Sequence, residues 1–146
     1  MVFCRARGRL CALPLTHVAE TMRPLPIEPF GGAPAFVKGV SIVRGEPLPI
    51  VDLGALLGLE GEAAPSRLLT LRVGERHLAL AVEAVLGIRE VDTSVLEDVP
   101  PLLGDGVSDM VATLSALEGE LLLVLRAGRL LPESMWAELE HVETAR

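Results

Sequence analysis

Three histidines, two cysteines and twenty carboxylates are the residues from which this chain could assemble chemistry. An enzyme needs such groups to converge, usually in pairs. A nucleophile, base and orienting acid can be drawn from Ser41, His17 and Asp52. The G-x-S-x-G elbow that would present such a serine is missing. His77 stands in an apolar run and reads as core or sheet edge, and His141 falls on an acidic C-terminal helix. Cys4 and Cys11 have no histidine beside them, and neither C-x-x-C nor H-E-x-x-H occurs, so no metal site is expected. Gly31-Gly32 is not followed by the lysine and helix of a phosphate-binding loop, and no cofactor is expected. No catalytic residue is assigned, and the expectation is a protein that is not an enzyme.

Recognition is the chemistry that remains. Arg44 lies between two β-branched runs, in a turn flanked by prolines that blunt strand pairing. The planar guanidinium pairs with carboxylates and is a favoured interface group. This strand-turn-strand reads as a protein-docking face.

The elements that must position it are short. Val2 to Arg7 pairs with Leu10 to Leu15 around Gly8, which sets Cys4 opposite Cys11 as two buried thiols. Thr16 is expected to cap a helical turn over Thr16–Glu20. Pro24, Pro26, Pro29, Gly31-Gly32 and Pro34 read as an ordered surface crossing, since proline removes donors and fixes φ. Phe36–Val43 and Pro47–Leu53 read as strands around Arg44-Gly45-Glu46, followed by a helical turn over Gly54–Leu59. Arg67–Val73 and His77–Val82 form the next pair, and Ala84–Val91 continues extended. A linker covers Ser94–Pro101 and a loop covers Leu102–Asp109. Met110–Leu117 and Glu120–Leu125 flank Glu118-Gly119, a hairpin signal. Pro132 opens a C-terminal helix that places Met135, Trp136, Leu139 and Val142 on one face. Many short strands punctuated by Gly and Pro indicate a sandwich or barrel.

The chain has 146 residues, one domain by size, and half of them are hydrophobic. Aromatic residues are few, so the core is aliphatic. The net charge of −7 lacks the basic footprint that nucleic acid requires. No apolar run reaches the length of a membrane span, and the basic start lacks a signal-peptide core, so a cytoplasmic protein without membrane insertion is expected.

The order and spacing of several segments resemble the CheW-type coupling proteins of bacterial chemosensory arrays. Phe36-Val37-Lys38-Gly39-Val40, then Val43-Arg44-Gly45, then Pro49-Ile50-Val51-Asp52-Leu53 are similar to that family's core signature. Leu80-Ala81-Val82-Glu83-Ala84-Val85 is similar to its G-x-x-V-D-x-V strand, and Val111–Leu117, Leu121–Leu125 and Leu130-Leu131 to its closing strands and helix. The resemblance implies a mainly β fold of two intertwined five-stranded SH3-like barrels around one core, with short helices and a C-terminal helix, as a single domain over 1–146. It implies a non-enzymatic adaptor that couples the cytoplasmic tip of methyl-accepting chemoreceptors to the regulatory domain of the histidine kinase CheA. The implied partner-binding residues are Gly39, Ile42, Val43, Arg44, Gly45 and Glu83. Ile42 stands where the family commonly has Asn, Ala79 where it has Gly, and Glu83 where it has Asp. These departures bear on kinase docking more than on receptor docking, so a one-sided adaptor that binds receptor alone is the alternative. A regulatory domain cut from a larger kinase is a further one, against which the start at Met1 and the helix at Pro132 speak.

Overall fold

The computed structural model describes residues 1–29, 31–32, 34–61, 65–91, 97–98, 110–131 and 133–137. Eleven strands form two sheets. The first sheet takes β1 (Val2–Ala6), β2 (Arg9–Leu13), β8 (Ala84–Ile88), β9 (Glu97–Asp98), β10 (Val111–Leu117) and β11 (Glu120–Leu125), in the order β8-β1-β2-β11-β10-β9. The second takes β3 (Val18–Met22), β4 (Val37–Val43), β5 (Glu46–Asp52), β6 (Arg67–Val73) and β7 (Arg76–Val82), in the order β3-β6-β7-β5-β4. The expected count of five strands holds for the second sheet, and the two-residue β9 makes a sixth in the first. Among the described residues neither sheet is closed on itself by strand pairing. The chain starts in the first sheet, builds the whole of the second, and returns.

Most pairs are antiparallel hairpins, but each sheet is knitted by one parallel ladder: β2 against β11, and β5 against β7. The two turns flanking β1–β2 and β10–β11 carry positive φ at both central residues: Arg7 (48°) and Gly8 (80°), Glu118 (52°) and Gly119 (78°). That is the geometry whose twist matches the flanking strands.

Alternation along the strands divides the side chains between three apolar layers. Val2, Cys4 and Ala6 of β1, Leu123 and Leu125 of β11, Leu69 and Leu71 of β6, and Leu78, Leu80 and Val82 of β7 enter one core between the sheets. Their neighbours Phe3, Leu122 and Val124 pack on the far side of the first sheet. Leu68, Ala79 and Ala81 pack on the far side of the second, beneath Met22, Leu25 and Ile27. Strands buried on both faces read as unbroken apolar runs, which is the texture of Leu78–Val82 and Leu121–Leu125. Leu114 on β10 is half-buried against the central core rather than enclosed by it. Leu114→Ala should therefore cost about 1–2 kcal/mol in urea unfolding, below the range for a fully enclosed leucine. A loss of about 4 kcal/mol would mean the side chain sits deeper.

Three expectations change. The helical turn over Thr16–Glu20 is instead a 3₁₀ turn at Leu15–His17 that runs into β3. Thr16 makes no cap, Pro14 occupies the N-cap position, and the half-buried Val18, Glu20 and Met22 alternate with exposed Ala19 and Thr21 as a strand requires. The helix after β5 is the single turn α1 (Leu53–Leu56). The loop over 102–109 lies outside the described residues, as do Leu139, His141 and Val142. Of the terminal helix, residues 133–137 are described. Trp136 is buried in the central core, and Arg76 of β7 forks Glu133 at 2.6 Å while its guanidinium lies 5.3 Å over the Trp136 ring.

Cys4 and Cys11 stand directly opposite each other, fully buried and unbridged, as expected. Hydrogen bonding to Cys11, then burial, pushes the Cys4 thiol well above its usual 9.0.

Candidate docking site

The turn between β4 and β5 is Arg44-Gly45, with φ of 51° and 80°. An arginine in the left-handed region is uncommon, and Gly45 takes the second left-handed position at no steric cost. The turn carries Arg44 across to β3. Its Nε donates to Glu20 Oε1 at 2.9 Å and its Nη2 to Glu20 Oε2 at 2.7 Å. Glu20 is itself fixed by Thr70, which is fully buried on β6: the Glu20 N–H donates to Thr70 Oγ1 at 3.0 Å, and that hydroxyl donates to the Glu20 carbonyl at 3.3 Å. This reciprocal bond sits where the β3–β6 register shifts. Neither Glu20 nor Thr70 stood out in the sequence. They are fifty positions apart, and no local spacing joins them.

The ion pair does not consume the arginine. Its side chain stays 78% exposed. Of the five N–H groups of a guanidinium, two are given to Glu20, so both on Nη1 and one on Nη2 remain. Arg44 is thus held in one orientation with its outer donors open to solvent.

The other residues of the sequence-derived set fall into different roles. Val43 is buried and shapes the strand rather than offering contact. Ile42 points outward. Gly39 lies under the Pro-rich segment, which folds over β4 as a strap. Glu28 and Val40 exchange two backbone hydrogen bonds at 2.9 Å, and Ser41 Oγ donates to the Pro26 carbonyl at 2.7 Å. The Glu28 carbonyl oxygen lies 2.3 Å from where a Gly39 Cβ would be. Glu83 is turned to the hairpin: its side chain accepts from the Gly8 N–H, its N–H donates to the Arg5 carbonyl at 2.9 Å, and its carbonyl accepts from Ser66 Oγ. It joins β7 to the first sheet, 39 positions beyond the Arg44 turn in sequence and with no contact to it among these bonds.

Pro47 and Pro49 occupy the half of β5 that precedes its ladder with β7, which begins at Ile50. Where the two strands splay, His77 reaches across. Its Nδ1 lies 3.2 Å from Glu46 Oε2 and 3.2 Å from Arg72 Nη2. These residues and Trp136 border a hollow of 910 Å³. The paper triad is not assembled: the Ser41 hydroxyl is given to Pro26, and Asp52 caps α1 at the Ala55 N–H (3.2 Å) and pairs with Arg7 (3.3 Å). Among the described residues no three His, Cys, Asp or Glu side chains gather as metal ligands.

Three carboxyls are held below their usual 4.5 by arginines that hydrogen-bond them: Glu20 by Arg44, Glu120 by Arg5, and Glu133 by Arg76. Each binds protons less readily when folded, so the stability it contributes is whole above pH 4.5 and is lost as pH falls through the lowered folded value. The melting temperature should hold steady from pH 7 to about 5 and decline toward pH 3, with a shallower decline in Arg44→Ala. Equal slopes in the two proteins would remove Glu20 from that account.

The CheW-like domain family profile matches residues 1–135. The chain is 30% identical over 109 residues to the "Chemotaxis protein CheW" of Rhizobium meliloti (strain 1021), covering 73% of this chain and 70% of that one. It is 32% identical over 111 residues to "Protein FrzA" of Myxococcus xanthus, covering 73% and 68%, and 36% identical over 104 residues to "Protein PilI" of Pseudomonas aeruginosa, covering 67% and 57%. The crystal structure of the scaffolding protein TtCheW from Thermoanaerobacter tengcongensis superimposes with a TM-score of 0.77 over 92% of each chain at 20% identity, which shows the fold. This mainly β chain therefore belongs to the CheW-like domain family, whose members are scaffold and coupling proteins of chemosensory systems rather than enzymes.

Proposed function

We propose that this protein is a cytoplasmic coupling adaptor, acting as one CheW-like domain over residues 1–146. On this reading it binds the cytoplasmic tip of a methyl-accepting chemoreceptor and the regulatory domain of the histidine kinase CheA. The observation that carries the reading is Arg44. An arginine held by an intramolecular carboxylate has already lost most of its rotamer freedom, so a partner that accepts from its outer donors does not bear that ordering cost. Charge-assisted bonds of this kind are the stronger ones. Among the described residues no helix is long and apolar enough to cross a membrane, and the reading takes membrane proximity from the receptor.

The test is calorimetric titration of the purified protein with a receptor-tip fragment and, separately, with the kinase regulatory domain from the same organism. Arg44→Glu places a carboxylate beside Glu20 and removes the outer donors. It should weaken docking at least about tenfold, while the melting temperature changes little, because the side chain is exposed. Binding to both fragments makes the protein a bridge, and binding to the receptor alone makes it one-sided. Binding to neither would overturn the proposal.

A further inference from the structure

We propose that Ile42 and the hollow beside it form the apolar half of a two-point docking site whose polar half is Arg44, and that its occupant is an amphipathic helix bearing an aliphatic side chain one turn from an acidic one. This rests on the adaptor reading and specifies what the partner must offer.

Ile42 is 56% exposed, while Val37, Val40 and Val43 of the same strand are each at most 7% exposed. Beside it opens a hollow of 210 Å³ bordered by Leu25, Pro26, Glu28, Val40 and Ile42. Four of these five side chains are apolar, so the hollow suits an aliphatic group. At a strand rise of about 3.3 Å per residue, Ile42 and Arg44 lie roughly 6.6 Å apart. Two residues one turn apart on a helix face are separated by about 5–6 Å. A partner strand would span the same distance, but it would need the backbone edge of β4. That edge is taken at Val40 by the two hydrogen bonds from Glu28. Strand addition is blocked there, and side-chain docking of a helix is not. Charge sets the direction: the outer donors of Arg44 call for an acceptor, and Glu28 on the border of the hollow disfavours an acid at that end.

The test uses the whole protein and the receptor-tip fragment as probe, by calorimetry and by methyl NMR of the Ile42 and Val40 signals. Ile42→Asp should weaken binding at least about tenfold and Ile42→Leu by less than about threefold. The Ile42 and Val40 methyl signals should move during titration of the unsubstituted protein, a readout that does not depend on any variant folding. If Arg44→Glu weakens binding while Ile42→Asp does not, and the methyl signals stay fixed, the apolar half is wrong and the adaptor reading stands. If the unsubstituted protein binds neither the receptor fragment nor the kinase domain, the adaptor reading fails and this inference fails with it.

Discussion

Gly39→Ala should be among the most damaging single substitutions in the protein, costing about 3–5 kcal/mol. Two terms add. Gly39 has φ of 145°, a backbone region that side chains other than glycine reach only under strain of about 1–3 kcal/mol. Its new Cβ would also meet the Glu28 carbonyl oxygen at 2.3 Å and the Glu28 carbonyl carbon and Ile27 Cγ2 at 2.8 Å. The first of these is rigid backbone, so the strap must lift. Lifting it breaks the two Glu28–Val40 hydrogen bonds, worth about 1 kcal/mol each, and uncovers the apolar patch under Ile27. In a domain of this size the melting temperature should fall by roughly 10 °C. Urea unfolding checks the free energy. A loss under about 1 kcal/mol would mean the strap retreats freely and does not close the sheet. The substitution should also remove docking, but by deforming the surface around Ile42. Arg44→Glu should remove docking on an intact surface, and melting temperature separates the two.

The second large effect concerns the join between the sheets. Arg7, at the tip of the β1–β2 hairpin, donates from Nη1 to the Leu59 carbonyl at 2.6 Å and from Nη2 to Asp52 at 3.3 Å. Both side chains of the pair are mostly buried, at 23% and 17% exposure. Arg7→Ala leaves Asp52 with the Ala55 N–H as its remaining bond here and should cost about 2–4 kcal/mol. The arginine stem runs over Gly54, where a Cβ would lie 2.6 Å from Arg7 Cγ and Cδ. Gly54→Ala should therefore displace Arg7 and cost about 1–2 kcal/mol in the unsubstituted protein. With Arg7→Ala already in place, the clash is gone and alanine suits the helix turn better than glycine. Gly54→Ala should then be neutral or stabilising by up to about 1 kcal/mol. A double-mutant cycle in urea measures the coupling, expected above about 1 kcal/mol. Additive losses would show that the two residues do not share the space.

Much of this fold was legible because its signals are local. Arg7-Gly8, Arg44-Gly45 and Glu118-Gly119 mark their turns as dipeptides between apolar runs, and the strands beside them follow. The unbroken run at Leu78–Val82 shows burial on two faces. The parallel ladders β2–β11 and β5–β7 carry no such signal, because they join segments that no turn connects. The segment Val18–Met22 was misread since a possible cap at Thr16 outweighed its alternation, which only the β6 neighbour makes decisive. The site was legible in part for the same reason. Arg44 is conspicuous in its turn, whereas Glu20 and Thr70, which orient it, lie in other elements. Gly39 and Glu83 were grouped with the docking residues by resemblance. The structure gives each an internal contact, to the strap and to the hairpin, that spacing alone does not reveal.

The parallel pairing of β2 with β11 constrains how the protein can be made. The second sheet is drawn from one continuous stretch, Val18 to Val82, and can close as soon as that stretch has left the ribosome. The hairpin made first cannot. Leu10 must wait for Leu122, a delay on the order of ten seconds at usual rates of synthesis. Until then Phe3, Leu10 and Ala12, fully covered in the finished molecule, have no partner strand. The nascent chain therefore trails a sticky, unpaired ribbon for most of its translation, the kind of surface that chaperones hold and that aggregates when synthesis outpaces them.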